Sequence, residues 1–208
     1  MVKTNFPFAL PLLYITFAHP KNRPMSNRRE FEIAFVGLKP GIHVFEYKIA
    51  DKFFTEYGEQ DFEHVEANVK LSLEKNTGFM MLKFDIDGTV DTNCDRCGNP
   101  LKVQLWDEYN IVVKMVEEPE MMNDQEEDPD VYYISHTESH LFVADWIYEF
   151  INLSLPMQKI CPDNEKGESQ CNPEVLEKLK QMEADAEQTT NPIWKGLEQF
   201  RDIDEKKN

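Results

Sequence analysis

Two cysteines separated by two residues are the most informative feature of the sequence. Cys94 and Cys97 form a Cys-x-x-Cys motif, and Gly98 follows it directly. A metal knuckle needs two thiolates that converge on one ion while the backbone folds beneath them, and a two-residue gap at the tip of a hairpin provides this. Gly98 permits the tight turn that leaves backbone N–H groups free to point at sulfur. The spacing therefore favours a metal-binding turn between two strands.

A second pair, Cys161 and Cys171, lies in a polar loop nearer the C-terminus. Nine residues separate these cysteines, which is not the gap of a standard knuckle, so this pair is the weaker indication. Tetrahedral zinc bound by all four thiolates would close the coordination shell and hold the C-terminal loop against the sheet. We favour this structural zinc site, whose ligands are Cys94, Cys97, Cys161 and Cys171.

Two alternatives stay open for the cysteines. The first is a thiol- or zinc-dependent enzyme, or a redox protein, that uses Cys94-x-x-Cys97. A thiol–disulfide enzyme carries its motif at the start of a helix, where the dipole lowers the thiol pKa, whereas residues 100–105 alternate as a strand. The second alternative is four free thiols that hold no ion. Elemental analysis for zinc, set against reduction of a small-molecule disulfide, separates these cases.

Other catalytic patterns are missing from the sequence. It contains no G-x-G-x-x-G or G-x-x-x-x-G-K-[ST] phosphate loop and no G-x-S-x-G elbow. His136 and His140 are spaced like two metal ligands on a helix, but no third ligand is near, so we interpret them as polar residues at a helix start. His43 and His64 are isolated and are interpreted as surface or edge-strand residues. We predict no catalytic residue, no cofactor-binding residue and no enzymatic activity.

The charge of the chain limits its partners. The 208 residues include 39 acidic and 22 basic ones, which gives a formal net charge of −17. Such a surface repels phosphate and argues against wide contact with bare nucleic acid, so a basic protein is the more natural direct partner. Residues 117–130 hold eight acidic residues and two prolines. We interpret this segment as a solvated, mobile loop, with a docking surface for a basic partner as the alternative.

The first 24 residues differ from the rest of the chain. They contain no acidic residue and include an apolar run over 6–18. The run resembles a signal peptide, but Pro7 and Pro11 interrupt it, no small-x-small cleavage site follows, and it is too short to span a membrane. Met25 opens a conventional polar start. We therefore interpret residues 1–24 as a disordered or mis-assigned extension and expect a cytoplasmic protein that makes no membrane contact.

Alternation of apolar and polar residues predicts a β-rich first part of the chain. The clearest run, over 65–73, is followed by a turn at 75–78 and by two more runs, so an antiparallel meander is expected. A turn at 39–41 is expected to reverse the chain between the first two strands, and residues 52–60 to form a short helix or loop. The predicted strands cover 31–35, 45–49, 65–73, 80–86, 101–115 and 131–134.

Helical patterns follow the strands. An almost wholly apolar segment is interrupted only by Asp145, Glu149 and Asn152, whose spacing gives one polar stripe on a buried helix. The predicted helices cover 140–155, 173–186 and 192–201. The expected fold class is α+β, in which a mostly antiparallel sheet, with a barrel-like curl as one option, packs against the buried helix and carries a C-terminal helical segment.

Three blocks follow one another along the chain: Cys94-Asp95-Arg96-Cys97-Gly98, the apolar helix running into Leu155-Pro156 followed by Cys161 and Cys171, and residues 191–200 (NPIWKGLEQF). In this order they resemble the YceD-like family, long catalogued as a domain of unknown function and linked to accumulation of large-subunit ribosomal RNA. The resemblance covers about residues 28–205, and the version with four cysteines and a long acidic loop is typical of bacteria.

The resemblance implies a single domain over 25–208 and a non-enzymatic role in the synthesis, processing or stability of large-subunit ribosomal RNA. The family's cysteine positions correspond to Cys94, Cys97, Cys161 and Cys171, and the place of Cys161 can hold a histidine, as suits a metal ligand. We therefore expect a ribosome-biogenesis factor that contacts a ribosomal protein or a large-subunit precursor.

Overall fold

The structure, a computed structural model, describes residues 28–188. Three features of the sequence lie outside the described residues: the N-terminal extension over 1–24, the alternative start at Met25 and the predicted helix over 192–201. The strands are β1 (Glu32–Ile33), β2 (Gly41–Ile49), β3 (Glu63–Lys75), β4 (Phe79–Asn93), β5 (Pro100–Val116), β6 (Val131–Ser135) and β7 (Leu141–Phe142). The helices are α1 (Asp51–Phe54), α2 (Pro119–Gln125), α3 (Ala144–Leu153) and α4 (Pro173–Gln188).

Five strands form the main sheet in the order β2-β3-β4-β5-β6. Strands β2 to β5 pair antiparallel with their sequence neighbours, which confirms the predicted meander. Strand β6 pairs parallel to β5, because the acidic segment between them carries the chain back to the same end. The sheet is open, so the barrel-like option is wrong and the predicted α+β class with a mostly antiparallel sheet is confirmed.

Helix α3 covers the inner face of the main sheet. Period-two alternation places every second residue of β3 and β4 on this face, where the side chains are buried. Ile147 and Ile151 of α3 are fully buried, and the Phe150 ring packs 5.0 Å from Phe84 and stacks 4.4 Å from Tyr109. The fully or almost fully buried sheet residues include Val69, Leu71, Leu73, Met80, Leu82, Phe84 and Ile86.

The structure corrects the prediction of the first strand. Of the predicted strand over 31–35, only Glu32–Ile33 forms a strand, because Phe31 ends one 3₁₀ turn and Phe35 begins another. Strand β1 pairs with β7 and not with β2, so the turn at 39–41 does not close a hairpin. Phe31, Ile33 and Phe35 alternate because all three are buried in the core, not because they line one face of a ladder.

The buried helix is shorter than predicted. The apolar segment over 140–155 begins with β7, and the helix starts only at Ala144. The polar stripe on α3 is present, since Glu149 is exposed while Asp145 and Asn152 are half-buried. Asp145 accepts a hydrogen bond of 2.9 Å from the hydroxyl of Tyr57, which ties the region after α1 to this helix.

A short helix occupies part of the acidic segment over 117–130, which corrects its interpretation as a loop. The physical reason is a set of polar contacts between α2 and β6. The Tyr133 N–H donates to Asn123 Oδ1 at 2.8 Å, and Asn123 Nδ2 donates to the Tyr133 carbonyl oxygen at 2.9 Å. The Tyr133 hydroxyl donates to Glu126 at 2.6 Å. These bonds give the acidic segment partners that its composition does not reveal.

Candidate metal centre

The Cys94–Cys97 turn connects β4 to β5, as the sequence predicted. The Cys94 N–H donates to the carbonyl oxygen of Asn99 at 2.8 Å, and the Gly98 N–H donates to the carbonyl oxygen of Cys94 at 2.8 Å. Gly98 has a φ of 74°, a left-handed conformation that a residue without Cβ adopts at low cost. These bonds fold the backbone under the two thiols and present both to the same point.

A compact loop over 162–170 brings Cys161 and Cys171 together. One isolated antiparallel bridge closes the loop across its base. Within the loop, two backbone N–H groups donate to Asn164 Oδ1, each at 2.9 Å, and Gly167 adopts a φ of 78° at the turn. The nine-residue gap is therefore closed by an asparagine-centred turn, which the spacing of the cysteines alone does not indicate.

Two backbone hydrogen bonds join the segment before Cys161 to the knuckle. The Asp95 N–H donates to the carbonyl oxygen of Lys159, and the Lys159 N–H donates to Asp95 Oδ2, both at 2.7 Å. The Lys159 ammonium also pairs with Asp61, and the hydrogen bond between them lowers the pKa of the Asp61 carboxyl. Asp95 and Lys159 are thus bracing residues that sequence reasoning missed, because their contact spans 64 residues of chain.

The four cysteine sulfurs converge on one point. They all lie within 4.8 Å of one another, with Cys94 and Cys171 at 3.8 Å and Cys97 and Cys161 at 3.7 Å. A tetrahedral ion with Zn–S bonds of about 2.3 Å requires neighbouring sulfurs about 3.8 Å apart. A disulfide requires about 2.05 Å, and all four cysteines are free. The distances therefore fit four ligands around one ion and not two oxidised pairs.

The site is largely shielded from solvent. Cys94, Cys161 and Cys171 are buried and Cys97 is half-buried. Burial is the largest single effect on the pKa of Cys94, and it raises that pKa. Hydrogen bonds from backbone N–H groups, including that of Cys161 at 3.3 Å, together outweigh burial and lower the pKa of Cys94 to about 6. Burial raises the pKa of the Cys161 thiol to about 12, and the neighbouring sulfurs add to this shift. The backbone thus prepares one position for a thiolate.

The sulfur cluster also positions α4. The buried cysteines pack with Ile160 and Leu176 in a hydrophobic cluster of their own, separate from the main core. Asn172 follows the last cysteine, and its Oδ1 accepts the Glu174 N–H at 3.0 Å at the start of α4. The helix predicted over 173–186 is confirmed as α4, and its first turns contact the cluster through Leu176.

The four histidines among residues 28–188 do not contribute to this site. His136 and His140 are exposed in the connection between β6 and β7, so the interpretation of them as helix-start residues is wrong. His43 lies on β2, an edge strand of the main sheet, as expected. His64 is exposed on β3, where it has a φ of 51° beside a break in the β3–β4 register and pairs with Asp91 at 3.2 Å.

A cleft beside the knuckle was also not predicted. It has a volume of about 640 Å³ and is lined by residues that include His64, Asp91, Thr92 and Lys102. Asp91 is the shared partner in this cleft, because both His64 and Lys102 pair with it. The β3–β4 register shifts between Glu63 and Glu66 beside the cleft, and this shift is a feature of strand pairing and not of the sequence pattern.

These features define an α+β protein in which a cluster of four thiols joins a C-terminal segment to an antiparallel sheet. The family model described as large ribosomal RNA subunit accumulation protein YceD matches residues 82–201, which is more than half of the chain. The chain therefore belongs to this family. The matched region begins within β4 and is therefore shorter than the expected range of 28–205. It includes all four cysteines.

No curated protein and no solved structure matches the chain. Within residues 28–188, no helix is long and apolar enough to cross a membrane. The family name links the chain to accumulation of large-subunit ribosomal RNA.

Proposed function

We propose that this chain is a non-enzymatic, cytoplasmic factor that supports accumulation of large-subunit ribosomal RNA by contacting a ribosomal protein or a large-subunit precursor. Its membership of the YceD family carries the proposal. The net charge of −17 supports a protein as the direct contact, because an acidic surface repels the phosphates of bare RNA. We propose a single domain over 25–208 for this function, and a main core that includes β1 to β3 as well as part of the matched region supports it.

We further propose that Cys94, Cys97, Cys161 and Cys171 hold a structural zinc ion. The convergence of their four sulfurs supports this, at distances that suit a tetrahedral shell. Thiolates are soft ligands that select zinc among the common divalent ions. Four protein ligands leave no position for substrate or water, which is the arrangement of structural sites and not of catalytic ones. The ion would hold the C-terminal segment on the β4–β5 turn.

A thiol-based redox function is the second candidate, because Cys94 and Cys97 form a Cys-x-x-Cys motif and the pKa of Cys94 is lowered. A reactive cysteine also needs access to its substrate. Cys94 is only 3% exposed, and the motif lies between two strands instead of at the start of a helix. The structural role is therefore the better supported one.

The ribosomal role is tested in cells that lack the gene. We expect the ratio of large- to small-subunit ribosomal RNA to fall, and the wild-type gene to restore it. A pull-down of the tagged chain, with and without ribonuclease, should recover large-subunit ribosomal proteins in both conditions. An unchanged ratio together with no recovered ribosomal protein would contradict the proposal.

The metal is tested on the purified, untagged chain. Elemental analysis should give about one zinc ion per chain, and Cys97→Ser should lose most of it. The matched control is Ser169→Ala, because Ser169 lies in the same loop and is not one of the four proposed ligands. Wild-type protein that contains no zinc and that reduces a small-molecule disulfide would favour the redox function instead.

A further inference from the structure

The outer face of the main sheet, turned away from α3, is exposed and mostly polar. An antiparallel sheet with one solvated face ordinarily shows this pattern, with apolar residues inside and polar residues outside. The outward residues of β3, β4 and β5 that are exposed include Glu66, Asn68, Lys70, Met81, Asp87, Gln104, Trp106 and Glu108.

Trp106 breaks the polar pattern of this face. It is 82% exposed at the middle of β5, while Leu105 beside it is fully buried on the inner face. Trp146, in contrast, is 6% exposed and packs in the core. A tryptophan side chain carries a large apolar area that folding usually buries. The fold itself makes little use of the Trp106 ring, so its position is better explained by contact with another molecule.

Carboxylates surround this indole. Asp87 lies directly opposite Trp106 in the β4–β5 register, Asp85 lies diagonally, and Glu108 is two residues further along β5. Directly opposite side chains have Cβ atoms about 5 Å apart. Lys83 pairs with Asp85 at 3.3 Å and with Glu108 at 2.7 Å. Among the described residues, the side chain of Asp87 makes no hydrogen bond or ion pair, so its carboxylate remains available to a partner.

We propose that Trp106 and Asp87 form a docking point for an arginine-rich segment of a basic protein. A guanidinium placed over the indole is attracted by its π face and can donate hydrogen bonds to the neighbouring carboxylate, so one arginine uses both groups. The net charge of −17 draws such a segment to the chain. The inference rests on the proposed function, because it states where a ribosomal protein would make contact.

The same charges argue against RNA at this position. Exposed aromatic rings stack well on single-stranded bases, but binding sites for single strands combine such rings with a positively charged groove. On this face the cations near Trp106 are Lys70 and Lys83, and the carboxylates near it are more numerous: Glu66, Asp85, Asp87 and Glu108. The phosphates of an RNA strand would meet a net negative surface, whereas an arginine side chain meets an attractive one.

Binding is measured by fluorescence anisotropy with a labelled peptide of alternating arginine and serine. The same peptide with citrulline in place of arginine is the control, because it keeps the shape and removes the charge. A labelled polyuridine oligonucleotide tests the RNA alternative. The protein variants are Trp106→Ala and Asp87→Asn, and Met81→Ala is the matched control, since Met81 is also apolar, 45% exposed and on the outer face.

We expect the arginine peptide to bind the wild-type chain about tenfold or more tightly than the citrulline peptide. Trp106→Ala should weaken binding about tenfold and Asp87→Asn several-fold, while Met81→Ala changes it less than about twofold. Equal binding by Trp106→Ala and wild type would overturn the inference, as would no binding of the arginine peptide to wild type. Binding of the oligonucleotide that is lost in Trp106→Ala would assign the face to RNA instead.

The ratio of large- to small-subunit ribosomal RNA in cells distinguishes a failure of this inference from a failure of the proposed function. If wild type and Trp106→Ala restore the ratio equally well, the docking point is wrong and the proposed function stands. If deletion of the gene leaves the ratio unchanged and the pull-down recovers no ribosomal protein, the proposed function is wrong whatever the peptide does. Because Trp106 is exposed, its replacement should leave the urea unfolding midpoint unchanged, and this measurement confirms that the variant is folded.

Discussion

Loss of one sulfur ligand should release the C-terminal segment and leave the sheet folded. We expect this from Cys171→Ser, which removes one of the four thiols with little change in size. The segment over 159–172 reaches the rest of the structure through the knuckle and through the pair of Lys159 with Asp61, and the sulfur cluster is separate from the main core. The helix α4 begins at the end of this segment and should lose its position with it.

The magnitude follows from the contacts that remain without metal. The pair Asp95 and Lys159 contributes two hydrogen bonds, the Lys159 ammonium contributes a third to Asp61, and the Cys161 N–H contributes a fourth to sulfur. At about 1 kcal/mol each, these supply about 4 kcal/mol. Ordering the backbone of a residue costs about 1–2 kcal/mol, so four bonds cannot order a segment of this length. Structural zinc contributes about 10–16 kcal/mol, so the proposed ion would decide whether the segment stays in place.

Amide hydrogen exchange read by mass spectrometry measures this directly. In Cys171→Ser, exchange over 159–172 should quicken by about 10³-fold or more, which corresponds to about 4 kcal/mol. Exchange over 65–86, in the core strands, should change by less than about tenfold. Ser169→Ala is the control, because it removes the acceptor of the Cys171 N–H but no ligand. Unchanged protection over 159–172, or equal loss in both regions, would refute the reasoning.

Three further outcomes are expected from urea denaturation. Gly88→Ala should lower the free energy of unfolding by about 2 kcal/mol more than Gly78→Ala. Both glycines have positive φ, but only at Gly88 would the new Cβ clash with the backbone of β3. Ile147→Ala, at a fully buried position, should cost about 3 kcal/mol, and Leu153→Ala, at a position 58% exposed, less than about 1 kcal/mol. Burial raises the pKa of Tyr47 from 10.0 to about 12. The contribution of its neutral hydroxyl to stability is therefore complete below pH 10 and is lost as the pH rises through 12. Between pH 10 and pH 12, Tyr47→Phe should lose less stability than wild type.

The main sheet could be predicted because its signal is local. Each strand from β2 to β5 is solvated on one face, so apolar and polar residues alternate along the sequence itself. The first cysteine pair could be placed for the same reason, since the two-residue gap and Gly98 define a turn between two such runs. Local pattern and local structure agree at these positions.

Contacts between distant residues left no such trace. Strand β1 exists because it pairs with β7, more than a hundred residues along the chain, and each strand is too short to show alternation. Leu141 and Phe142 of β7 therefore merge with the apolar pattern of the helix that follows. The convergence of the two cysteine pairs likewise depends on the Asn164 turn and on the bonds between Asp95 and Lys159, none of which the spacing of the cysteines implies.

The two proposed sites lie on independent parts of the molecule, and this allows their roles to be separated. Trp106 lies on the outer face of β5, whose inner face belongs to the main core, whereas α4 depends on the sulfur cluster. A chain with Cys171→Ser should therefore keep its affinity for the arginine peptide while it loses the position of α4. If that variant still restores the ribosomal RNA ratio, the sheet face is sufficient for function. If it binds the peptide but fails to restore the ratio, the C-terminal segment makes a contact of its own, and the metal supports function by holding that segment in place.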